Sequence, residues 1–144
     1  MSVILVGIDG SPPSRRALDH ATRLAREKGH ELFLLTVVPE QVKNSSLSSM
    51  MPAGLALPPA LSQTFEQTAQ LRLDEIAAQL AAIGVKARTD VRAGDAARQL
   101  LRAADESGAS EIVIGQKSYA DKTHLGPNAR AIRDGAKVPV AMIQ

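Results

Sequence analysis

Val3-Ile4-Leu5-Val6-Gly7-Ile8, followed by Asp9-Gly10-Ser11-Pro12-Pro13, is the stretch on which the architecture turns. The first six residues form an unbroken run of β-branched residues and leucine with one glycine. An alternating pattern would mark a strand with one wet face, whereas a continuous run marks a strand buried on both faces, as in a parallel sheet. Asp9 to Pro13 is turn chemistry leading into a helix: Ser11 can cap the first free amides, and a proline fits the first turn, where an amide hydrogen has no partner anyway. Ala17, Leu18, Ala21, Leu24 and Ala25 then fall on one helical face, and Gly29 suits its end.

The same alternation of strand and helix continues outward. Glu31 to Val38 predicts a second buried strand that stops at Pro39, because proline cannot donate to a ladder. The 40–61 stretch is rich in Ser, Pro and Met, lacks periodicity, and is long for a loop in a compact domain; it predicts a surface excursion, read either as a tolerated insertion or, on Met50-Met51 and Leu55-Leu57, as a lid or partner contact. Phe65, Ala69, Leu73, Ile76, Leu80 and Ile83 step by three and four towards Gly84 and predict a long helix. Val85 to Val91 alternates apolar and polar residues, which suits an edge strand. After Gly94-Asp95, with Asp95 as a helix cap, Ala97, Leu100, Leu101 and Ala104 predict a third helix ending near Gly108. Glu111 to Ile114 predicts strand four, Asn128 to Ala136 a fourth helix, and Val138 to Ile143 strand five. Five strands alternating with four helices give an open parallel α/β sheet, whose ligands sit beyond the carboxyl ends of the strands.

Composition narrows the function. The chain has 144 residues, 44% hydrophobic and 22% charged, and is expected to form a single domain spanning 1–144. Its 17 Lys+Arg against 15 Asp+Glu leave a balance of only +2, and aromatics are limited to Phe33, Phe65 and Tyr119, so nucleic acid is not expected as a partner. Zero cysteines exclude disulfides and thiol chemistry. No apolar stretch approaches the ~18 residues of a membrane helix, and no basic leader precedes Val3, so a cytoplasmic protein without membrane association is expected. His20, His30 and His124 are too scattered for metal-ligand spacing, and no nucleophile with a base is apparent; Asn44-Ser45-Ser46 fits a glycosylation acceptor but reads as loop. The chain is not expected to be an enzyme.

The chemistry concentrates in the last third. Ile112-Val113-Ile114 ends in Gly115, and Gly126-Pro127-Asn128 opens the last helix, the layout in which a parallel sheet keeps a phosphate at a helix start. Gln116 to Leu125 contains no glycine, so the backbone donors for such a cradle are only partly supplied. Asp9, at the end of strand one, has two roles open to it: binding a ribose hydroxyl or a metal that accompanies phosphate, or bonding the Ser11 amide as a turn residue. Lys117, Lys122, His124, Arg130 and Arg133 surround the loop, either as compensating charge or as solvated surface.

Together Val6-Gly7-Ile8-Asp9-Gly10-Ser11 with Ser14 and Ala17-Leu18, then Val91 through Gly94-Asp95-Ala96, Ile112-Val113-Ile114-Gly115 and Val138-Pro139-Val140 carry a resemblance over essentially the whole length: the chain resembles the universal stress protein (UspA-like) family. That resemblance implies a Rossmann-like fold, close to the adenine-nucleotide alpha hydrolases, with strand order 3-2-1-4-5 and helices on both faces. It also implies a homodimer formed through the last strand, a role in stress endurance and, in many members, bound ATP, so ATP with magnesium is the cofactor to consider. By resemblance, Val38 would line an adenine pocket.

In the ATP binders, strand four leads into Gly-x-x-Gly, a nine-residue gap, and Gly followed by Ser or Thr. Here Gly115 fits the first position and Ser118 replaces the second glycine. The last pair is Gly126-Pro127 if the loop has lost two residues, or Asn128-Ala129 at full spacing. Pro127 has no amide hydrogen and Ser118 carries a Cβ, and each bond lost to a charged phosphate is worth ~1.5–3 kcal/mol. The preferred expectation is therefore a non-catalytic, dimeric stress-response protein, acting through an unidentified protein partner and holding ATP weakly or not at all. The other is an ATP-binding switch or slow ATPase in which Asp9, Gly115, Ser118, Gly126 and Asn128 hold a nucleotide while the 40–61 segment folds over it.

Overall fold

The computed structural model describes residues 2–40, 64–116 and 127–144. Nine elements follow one another: β1 (Val3–Gly7), α1 (Pro12–Lys28), β2 (Glu31–Val38), α2 (Phe65–Ala82), β3 (Ala87–Ala93), α3 (Ala96–Ser107), β4 (Glu111–Gly115), α4 (Pro127–Gly135) and β5 (Val140–Ile143). They form one five-stranded sheet in the order β3-β2-β1-β4-β5, and every neighbouring pair is parallel. The order and parallel pairing agree with the sequence expectation. Among the described residues, no helix is long and apolar enough to cross a membrane. The expected 40–61 excursion lies, past Glu40, outside the described residues.

Two apolar clusters sit on opposite sides of the sheet. On one side Ile4, Val6, Leu32, Leu34 and Val113 pack against Ala17, Ala21 and Ala25 of α1 and Leu73 and Leu80 of α2. On the other, Leu5, Phe33, Leu35, Ile112 and Ile114 pack against Leu100, Ala103 and Ala104 of α3 and Ala129 and Ile132 of α4. Alternate residues of β1, β2 and β4 therefore serve opposite cores, which is why their sequences run apolar without interruption.

Local chemistry sets the ends of the helices. Ser11 Oγ accepts from the Ser14 amide at 3.3 Å, with prolines at the first helical positions of α1. Thr64 and Gln67 form a reciprocal capping box at α2, at 3.0 and 2.9 Å. Asp95 caps α3 by accepting from the Arg98 amide at 2.9 Å. At the end of α2, Gly84 is left-handed, its amide bonds Ala81 O at 3.1 Å, and the Val85 amide reaches back to Leu80 O at 2.9 Å. This helix-ending motif uses Val85 as its apolar plug, so β3 starts two residues later than the alternation predicts and runs on to Ala93.

β5 likewise starts at Val140 rather than Val138. Pro139 has no donor, and the pairing begins through its carbonyl, which accepts from the Ile112 amide at 3.0 Å. β3 is an edge strand, as expected. Its charges are tied down: Arg92 meets Asp90 at 2.8 Å and Glu106 of α3 at 2.7 Å, and the hydrogen bond to Asp90, ahead of the other contacts, raises the Arg92 pKa above its ordinary value. Arg88 bonds Glu31 at 2.8 Å and lies 5.1 Å from the centre of the Phe33 ring.

Candidate functional site

The carboxyl ends of β2, β1 and β4 lie side by side, and a cavity of about 260 Å³ opens there on the α3/α4 side of the sheet. Gly7 adds no side chain to it: a Cβ there would lie 3.5 Å from Ile114 Cγ2 and Leu100 Cδ2, and Gly7 pairs with Leu35 across the sheet. Leu35, Val37 and Leu100 make the wall on the β2 side apolar. On the β4 side the wall turns polar, with Gln116 and Asn128 beside Ile114 and Gly115, and Asp9 at the centre. The volume lies just under the ~300 Å³ lower bound of common small-molecule sites.

Ser14 holds the floor. Only 3% exposed, its Oγ donates to Gly7 O at 3.3 Å and accepts from the Asp9 amide at 3.1 Å, fixing the turn to β1. Asp9 Oδ1 in turn accepts from the Ser11 amide at 2.8 Å. Thr36 Oγ1 bonds Ile8 O at 2.8 Å from β2. The backbone that carries Asp9 is thus clamped from three directions, and a carboxylate engaged in its own turn is less available to a ligand.

Of the six residues predicted for the site, Asp9, Gly115 and Asn128 come together at the cavity. Ser118 and Gly126 lie outside the described residues, as do Lys117, Lys122 and His124. Val38 is buried, but it is Val37 that lines the cavity. The difference is one residue of register: side chains alternate along β2, so Val37 shares the cavity face with Leu35 while Val38 falls on the opposite face of the sheet. Arg130 and Arg133 of α4 are not among the cavity-lining residues, and Arg133 meets Asp134 at 3.1 Å.

Gly115 has a reason of its own to be glycine. A Cβ there would lie 2.4 Å from both the Pro13 carbonyl carbon and the Ser14 amide nitrogen, so the start of α1 presses directly on the strand. The glycine is required by helix packing whether or not a phosphate visits.

The sequence reading missed Gln116 as a wall of the site. It is 7% exposed, its amide donates to Ile143 O at 2.7 Å, and its side chain continues the face of Ile112 and Ile114. A polar residue that continues the buried face of a strand was the available signal. Among the described residues its carboxamide has no hydrogen-bond partner, and since no sealed side-chain polar atom is left unpaired it is not cut off from solvent. The described cavity wall contains one carboxylate, two carboxamides and no Lys or Arg. No group of three or more His, Asp or Glu converges on a metal-sized site among the described residues.

Residues 1–144 all match the family model described as the universal stress protein family. The chain belongs to that family. The universal stress protein YxiE of Bacillus subtilis (strain 168) is 30% identical over 144 residues, a match that covers 98% of this chain and 97% of YxiE. Among solved structures, a universal stress protein in complex with cAMP superposes with a TM-score of 0.70 at 19% identity, covering 99% of this chain and 97% of its own. The universal stress protein of Archaeoglobus fulgidus in complex with dAMP gives 0.65 at 20% identity, covering 100% and 98%. At those identities the two structures speak for the fold alone, and the fold of this universal stress protein is theirs.

Proposed function

We propose that this universal stress protein is a non-catalytic stress-response protein whose cavity takes the nucleoside part of an adenine nucleotide and whose hold on ATP is weak. The observation that carries this reading is the cavity at the carboxyl ends of β2, β1 and β4, apolar at one end and polar at the other, with no cation in its described wall. An apolar slot bounded by Leu35, Val37 and Leu100 suits a flat base. The complexes of family members with cAMP and dAMP support an adenine nucleotide as the class of guest. The start of α4 at Pro127, which has no amide hydrogen to offer phosphate, supports weak retention of a triphosphate.

The working form is a cytoplasmic homodimer joined through β5, which delivers its effect by contact with a protein partner. Support comes from the two sheet edges: β3 carries Arg88, Asp90 and Arg92, charges that discourage strand addition, whereas β5 offers Val140-Ala141-Met142-Ile143.

Denaturing the freshly purified protein and chromatographing the supernatant tests the nucleotide reading. Little ATP is expected, together with calorimetric affinities for adenosine, AMP and ATP that lie close to one another, with or without magnesium. Stoichiometric ATP, or steady release of phosphate from it, would instead favour a switch or slow ATPase. A monomer mass by light scattering at micromolar concentration would remove the dimer.

A further inference from the structure

Three polar residues are buried among the described residues, and two of them are held: Ser14 by Gly7 O and the Asp9 amide, Thr36 by Ile8 O. The third, Gln116, is anchored through its backbone to Ile143 O, while its carboxamide has no partner among the described residues. No sealed side-chain nitrogen or oxygen of the described residues lacks a partner, so the Gln116 carboxamide is not cut off from solvent, and Gln116 lines the cavity. It carries a donor and an acceptor on one fork, at the polar end of the cavity beside Asp9 and Asn128.

Distance decides which part of a nucleoside it meets. β2 and β4 flank β1, so Leu35 and Val37 on one wall stand two strand spacings, about 10 Å, from Gln116 on the other. With the base against Leu35, Val37 and Leu100, the sugar falls beside β4 and the start of α4. Asp9 lies between them with Oδ1 already accepting from the Ser11 amide.

We propose that Gln116 is the ribose-recognising residue of this protein, its Oε1 accepting from one hydroxyl of the vicinal diol and its Nε2 donating to the other. This rests on the nucleotide reading above and transfers to Gln116 the role that the sequence offered to Asp9. Gln116 is a specificity determinant for ribonucleosides over sugars lacking both hydroxyls.

The test is a nuclear magnetic resonance titration of the full chain with adenosine and with 2′,3′-dideoxyadenosine, free nucleosides that leave the phosphate loop out of the comparison. The wild-type protein is expected to bind the dideoxy compound at least about tenfold more weakly, since a site built around hydroxyls rejects the analogue that lacks them. In Gln116→Leu the two affinities should converge to within about twofold, and Gln116→Met repeats the measurement should the leucine variant not fold. Gln116→Glu, which keeps the acceptors, should restore the preference. Equal binding of the two nucleosides by the wild type, or an unchanged preference in a folded Gln116→Leu or Gln116→Met variant, overturns the assignment and leaves the nucleotide reading standing. Failure of the wild type to bind adenosine at all overturns both.

Discussion

The two faces of the sheet are made by the same strands and closed to different degrees at their carboxyl ends. On the α1/α2 face the helix start is pressed so closely on β4 that the Cβ position of Gly115 lies 2.4 Å from Pro13 and Ser14 backbone atoms. On the α3/α4 face the corresponding glycine, Gly7 of β1, lines a cavity of about 260 Å³, and an added Cβ would meet only ordinary contacts at 3.5 Å. Both glycines end strands, yet the space above one is filled by helix backbone and the space above the other is open. A glycine at the end of such a strand therefore signals close packing or an open cavity, and only the clearance above it tells which.

The contrast breaks most readily at Gly115. Gly115→Ala is expected to destabilise the protein by at least about 3 kcal/mol, read by denaturant unfolding, because backbone rather than a pliable side chain occupies the space. A loss below about 1 kcal/mol would show that α1 can retreat. Next in size, Leu73→Ala on the closed face should cost about 3 kcal/mol, whereas Leu100→Ala, which only enlarges an existing cavity, should cost nearer 2 kcal/mol in the same measurement. Reversal of that order would mean the open face is the better packed one.

Arg92→Met should cost about 0.5–1 kcal/mol, a modest figure because Asp90 and Glu106 are about half exposed and solvent screens the pairs. The Arg92 pKa is raised, so the stabilisation is present at every pH below it and is lost only as pH climbs through that raised value; the difference from wild type should stay flat between about pH 6 and 9 as far as Arg92 titration is concerned. Smallest in stability is Gly7→Ala, expected within about 0.5 kcal/mol of wild type by thermal melting, with adenosine binding reduced because the new methyl intrudes on the cavity. Unchanged adenosine affinity in that variant would place the guest elsewhere.

Much of the fold was legible because local signals agreed with one another. Continuous apolar strands, Ser11, Asp95, Gly29 and Gly108 at helix ends, and the alternation of elements all point to one parallel sheet. Val85 was misassigned for a definite reason: a valine after a left-handed glycine satisfies a strand pattern and a helix-terminating plug equally well, and only the bond from its amide to Leu80 O separates them. The site was half legible. Asp9, Gly115 and Asn128 are marked by the strand–turn–helix pattern itself. Val37 and Gln116 are set by strand parity at the last residues of β2 and β4, where a shift of one position exchanges the two cores.

The central position of β1 also bears on synthesis. Leu5 pairs with Phe33 on one flank but with Ile112 on the other, so one margin of the middle strand has no neighbour until most of the chain has been made. A ribosome adding about 5–20 residues per second leaves that margin open for about 5–20 s. Apolar backbone waiting that long is a natural client for chaperones, and the protein's yield in a cell should respond to their supply more than its equilibrium stability would suggest.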